Sequence, residues 1–227
     1  MAPDPCPPAQ AVRVVDVSPL QRSEPAVDPS GYADSLATTP LGWPSLKRWC
    51  VWVEPAASPE SDRWEQRWIV SVEAALARWS AVLPLHRVDS QERAQVLLHR
   101  RKPPLRSVPG GWRASNGRSR LQLLEVRRQR VWRFEPQVSV LVSPQLRAAA
   151  LEATALHELG HAFGLWGHSP DPADVMAVHQ GRQPVLDLTD RDRRTLRWLR
   201  QQPNRFGRAP LQEMPGLGKL PSAASAS

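Results

Sequence analysis

Hydrophobic positions along the chain follow two periods, one of strands and one of helices. The run Arg48-Trp49-Cys50-Val51-Trp52-Val53 is apolar on both faces when extended, which predicts a strand interior to a sheet. Trp64, Trp68, Val72, Leu76 and Trp79 then recur at helical spacing after a cap at Ser61 or Asp62, predicting a first amphipathic helix. That spacing already accounts for these tryptophans as core residues. Short β-rich runs at Leu85–Val88, Gln95–His99, Leu121–Val126 and Val138–Val142 predict further strands. Pro103-Pro104, Pro109-Gly110-Gly111 and Asn116-Gly117 separate them as loops. Ser143-Pro144 offers an N-cap and a first-turn proline for a second helix from about Gln145 to Phe163, ended by Gly164. Thr189, Asp190 and Asp192 open a third helix carrying Leu196, Trp198 and Leu199 and stopped by Pro203. The order of elements predicts an α+β domain, a mixed sheet with helices packed against it.

The ends lack this periodicity. Residues 1–43 hold eight prolines and are expected to form a flexible leader; residues 203–227 are expected to form a flexible tail. That leaves 44–202 as one folded domain of a 227-residue chain. With 41% hydrophobic and 23% charged residues, the composition supports a packed core. No apolar run reaches the ~20 residues of a membrane span. Met1 to Leu20 shows no classical signal peptide, so the expected location is cytoplasmic or reached by non-classical export. Two cysteines, Cys6 and Cys50, are too few for a disulfide framework or a four-thiolate zinc site. Net charge is +8 and unevenly placed. Between Arg93 and Arg147 twelve Arg and one Lys face only Glu125 and Glu135, while the leader is net acidic. Such a basic middle serves a solvated Arg-rich face, steering of acidic substrates, or nucleic-acid binding.

The second helix contains His157-Glu158-Leu159-Gly160-His161. Residues four apart share a helical face, so the two imidazoles can hold one Zn²⁺ with Glu158 beside them to take a proton from its water. His168, beyond the break at Gly164, is the natural third ligand, and three nitrogens leave the fourth position open for catalysis. Met176 follows in Asp174-Val175-Met176. The stretch His157 to Ser169, with Met176 downstream, resembles the signature of metzincin zinc peptidases, and its matrixin branch most closely. The resemblance implies a metzincin-like zincin domain: a mixed twisted sheet, a first helix, an active-site helix and a C-terminal helix. It also implies a zinc endopeptidase with one catalytic ion and Met176 in a turn beneath the metal.

Three features depart from that family. Leu165-Trp166-Gly167 is one residue longer than the family's spacer, which leaves Asp171 and His179 open as alternatives to His168. No Asp lies between Asp89 and Asp171, so no calcium site is expected, and His86 and His99 are read as ordinary polar residues. The sole tyrosine, Tyr32, falls in the leader, away from the methionine turn. The expected mechanism is hydrolysis of a peptide by zinc-bound water, with Glu158 as general base and then general acid. Substrate is expected to pair with an edge strand at Leu121–Val126, and the loop from Met176 to about Val185 to shape the pocket after the cut. A cysteine latch in the manner of matrixins is the functional alternative to an idle Cys6. The alternatives to a peptidase are a zinc-holding, non-proteolytic module and a basic nucleic-acid-binding protein with a structural metal. Glu158 speaks against the first, the lack of a recognisable binding motif against the second.

Overall fold

The computed structural model describes residues 4–16, 20–22, 31–57, 62–179 and 183–210. In chain order the strands and helices are β1 (Ala11–Asp16), β2 (Gln21–Arg22), β3 (Ala37–Thr38), β4 (Trp49–Val53), α1 (Arg63–Ser80), β5 (Leu85–Val88), β6 (Val96–His99), β7 (Arg106–Val108), β8 (Gly111–Arg113), β9 (Gly117–Arg128), β10 (Val131–Val142), α2 (Ala148–Ala162) and α3 (Asp190–Gln201). Six strands form one mixed sheet in the order β1-β9-β10-β6-β4-β5. β5, β4, β6 and β10 run parallel; β9 is antiparallel to β10, and β1 antiparallel to β9. The α+β architecture expected from the order of elements is therefore present, with β4 buried at every position as its two apolar faces require.

α1 begins where Asp62 accepts hydrogen bonds from the backbone N–H groups of Trp64 and Glu65, satisfying two orphan donors of the first turn. It lays Trp68, Val72, Ala75, Leu76 and Trp79 into the core against α2 and the sheet. The buried indoles keep polar partners: Trp68 donates to the Val142 carbonyl at 3.1 Å and Trp79 to the Leu156 carbonyl at 3.0 Å. α2 starts later than expected. Its N-cap is Arg147, with no side-chain cap, so Ser143 and Pro144 belong to the turn before it. α3 opens as expected, with Thr189 and Asp192 in a reciprocal capping box.

The loop expected around Pro109-Gly110-Gly111 is the tip of a small hairpin, β7 paired with β8. β9 and β10 are longer than their apolar cores indicated and zip together over twelve residue pairs. Their two-residue turn places Gln129 and Arg130 at φ 49° and 66°, left-handed positions that neither side chain advertises.

The flexible leader expected over 1–43 does not hold for its described parts. β1 adds to the main sheet, Tyr32, Ala33 and Leu36 are buried, and Cys6 forms a disulfide with Cys50 on β4. Cys6 is therefore not a thiol on a mobile arm, and the latch reading falls with it. The first residues of the expected tail are also docked. Gly207 N–H donates to the Phe134 carbonyl, and Phe134 N–H to that of Arg208. The remainder of the tail, 211–227, lies outside the described residues. No helix among those described is long and apolar enough to cross a membrane.

Candidate metal centre

α2 carries His157, Glu158 and His161 on its last turns. Gly164, at φ 110°, ends the helix: Gly164 N–H returns to the His161 carbonyl and Leu165 N–H to that of Gly160. This left-handed glycine cap reverses the chain and sends His168 back over the helix. A Cβ on Gly164 would also lie 2.6 Å from the Pro44 carbonyl oxygen.

His157, His161 and His168 each offer one ring nitrogen within 4.8 Å of the others'. This is the metal-competent group among the described residues, and neither Asp171 nor His179 belongs to it. Both helix histidines are oriented from behind. His157 Nδ1 lies 2.8 Å from the Val175 carbonyl and His161 Nδ1 2.7 Å from the Leu165 carbonyl. A carbonyl only accepts, so Nδ1 carries the hydrogen in each ring and the Nε2 lone pair is left for a metal. Burial pushes the His157 pKa down to about 4 and lowers those of His161 and His168, so the cluster stays neutral at physiological pH. Three neutral imidazoles, two of them with anchored back nitrogens, fit a zinc ion.

The spacer before His168 is pinned by the N-terminal segment. Trp166 accepts from Ala37 N–H at 2.7 Å, and a Cβ on Gly167 would meet the Ser35 carbonyl oxygen at 2.1 Å. The extra residue is thus taken up in a backbone contact that only glycine permits. Met176 is fully buried and packs on Gly160, the residue before His161, where a Cβ would meet its sulfur at 2.2 Å. Ser169 clamps the two loops together: its N–H donates to the Met176 carbonyl and its hydroxyl to Asp174.

Glu158 is 8% exposed, and its Oε2 accepts from the Ser119 hydroxyl at 2.7 Å. Burial raises its pKa to about 7, against the opposing pull of Ser119 and Arg118. Gly117 leaves room for it; a Cβ there would lie 2.6 Å from Glu158 Cγ. A cavity of about 330 Å³ opens beside His157 and Glu158, walled by Gly117, Thr154, Val178 and Pro184. Ala177, Val178 and Pro184 lie in the loop expected to shape this pocket, whose residues 180–182 lie outside the described ones.

The open sheet edge differs from the expected one. β1 covers β9 from Leu123 to Arg127, so among the described residues no strand pairs with the outer edge over Gly117–Gln122, directly beside Glu158. Ser119, Gly117 and Tyr32 escaped the sequence reading because each acts through a contact distant in the chain. The glycine of Asn116-Gly117 was visible only as a loop signal, and Tyr32 only as the sole tyrosine. Compared with known protein families and with curated proteins, the sequence matches none.

Proposed function

We propose that this chain is a zinc-dependent endopeptidase of the matrixin-like metzincin kind. The observation that carries the reading is a buried carboxylate, Glu158, set beside a cluster of three neutral imidazoles at the wall of an open cavity. A purely structural zinc site has no use for such a base. The parallel strands, the antiparallel β9 lying against α2, and the buried Met176 packed on Gly160 support the same assignment.

His157, His161 and His168 would hold the zinc, which when bound makes water acidic near neutral pH and polarises a carbonyl. Glu158, held by Ser119, takes the proton of the attacking water and returns it to the leaving nitrogen. Its pKa near 7 suits both halves of that transfer. The substrate backbone lies extended along Gly117–Gln122, an edge that pairs with no strand among the described residues, and one side chain enters the 330 Å³ cavity. The Cys6–Cys50 disulfide supports residence in an oxidising compartment.

The test is a diverse peptide library incubated with the zinc-loaded chain. The expected result is cleavage that falls at least ~10²-fold in Glu158→Gln while zinc content stays near one per chain. Replacing His168 should lower zinc affinity. Zinc binding with no cleavage by the wild type would assign the chain to the non-proteolytic modules.

A further inference from the structure

Two hollows of about 680 and 460 Å³ adjoin one another at the end of the sheet where β4 and β6 begin, sharing Lys47 and Arg208 in their walls. Arg197 and Arg200, one turn apart on α3, line the larger; Arg48 and Arg133 line the smaller. All six cations are exposed, and among the described residues none forms an ion pair. The one carboxylate in either wall, Glu135, is buried and already held by Arg128 at 2.9 Å and Gln95 at 3.0 Å. Uncompensated like charge gathered in a concave surface opposes the compact state and focuses a positive field outward.

The hollows are remote from the metal centre. Along β10, Glu135 lines the groove while Val140 pairs with Ser119 beside Glu158, five residues or about 17 Å of strand away.

We infer that this groove is a binding site for an acidic polysaccharide. Its five exposed arginines present planar forks suited to sulfate, phosphate or carboxylate groups. Between them stand neutral hydrogen-bonding groups suited to sugar hydroxyls: Gln201 is exposed, and among the described residues Asn204 uses only its Oδ1, on Phe206 N–H, leaving its amide donors free. The aromatic in the walls, Phe206, is 5% exposed and offers no face on which a base could stack, which disfavours single-stranded nucleic acid. A recessed groove takes a thin chain rather than a flat bilayer. None of this depends on the peptidase assignment.

Calorimetric titration of the intact chain with heparin, a sulfated polysaccharide, and with alginate, a carboxylated one, tests the inference and separates the two anion chemistries. Binding of at least one is expected, and Arg197→Glu/Arg200→Glu should weaken it at least ~10-fold. The control pair Arg106→Glu/Arg113→Glu, on the β7–β8 hairpin, should change it less than about twofold. In the unmodified protein, bound polysaccharide should shield Lys47 from an amine-acylating reagent and leave Lys102 reactive, a readout that needs no variant. Equal weakening by both charge-reversed pairs, an unshielded Lys47, or tighter binding of single-stranded DNA or polyglutamate at the same residues would overturn the assignment.

Discussion

The Tyr32 hydroxyl donates to Asp192 Oδ1 at 2.7 Å, joining the N-terminal segment to the first turn of α3 across 160 residues of sequence. Asp192 is fully buried, and its other oxygen accepts from Val175 N–H at 3.1 Å and Thr189 N–H at 2.9 Å. The Val175 carbonyl in turn orients His157. The tyrosine expected to lie apart from Met176 is thus tied through Asp192 to the residue before it.

Removing that tie should cost stability before it costs chemistry. Tyr32→Phe leaves Asp192 Oδ1 buried without a donor, a loss of about 1–3 kcal/mol. A lower urea midpoint at unchanged slope is the expected outcome, with zinc still bound. An unchanged midpoint would show the hydroxyl to be energetically idle.

Tyr32 also sets an alkaline limit on the fold. Burial, foremost, and the neighbouring Asp192 hold its phenol well above the ordinary tyrosine value. The folded chain therefore favours the protonated form. That contribution is complete below pH ~10, where an unfolded tyrosine titrates, and is lost as pH rises beyond it. Because the chain has a single tyrosine, phenolate absorbance reports this group alone. It should appear together with the loss of native tryptophan fluorescence; phenolate formed near pH ~10 in a folded chain would contradict the network.

Gly117→Ala should uncouple catalysis from metal binding. The new Cβ would stand 2.6 Å from Glu158 Cγ and 2.7 Å from Thr154 Cγ2, so the carboxylate must shift. A displacement of ~1 Å at a reacting group is worth up to ~10²-fold. Peptide turnover should fall at least ~10-fold while zinc content and thermal stability change little. Turnover equal to the wild type would mean that Glu158 is not held where the mechanism needs it.

Breaking the disulfide should destabilise the protein and not activate it. Cys6 and Cys50 close a loop with a sequence separation of 44, which stabilises the fold by roughly 2–4 kcal/mol. Cys6→Ser/Cys50→Ser should lower the melting temperature and leave the turnover of the folded fraction unchanged. Deleting residues 1–43 should unfold the domain, since Tyr32 and Leu36 are part of its core. Higher activity in either variant would restore a latch role for this segment.

The histidine cluster was legible in sequence because its parts are local. His157, Glu158 and His161 lie within one helical turn, and the helix period alone puts them together. Gly164 announced the reversal that brings back His168. The helices and five of the six strands of the main sheet were legible for the same reason, their apolar periods being written in consecutive residues. Tertiary structure alone decided which stretch of the outer edge of β9 has no strand beside it among the described residues, because that depends on β1, whose Val-rich run stood among prolines and showed no sustained alternation. It alone joined Cys6 to Cys50, seated Gly167 against Ser35, and bonded Tyr32 to Asp192. Each of these contacts spans 44 or more residues, and a chain's local pattern records which face a side chain prefers, not which distant backbone meets it there.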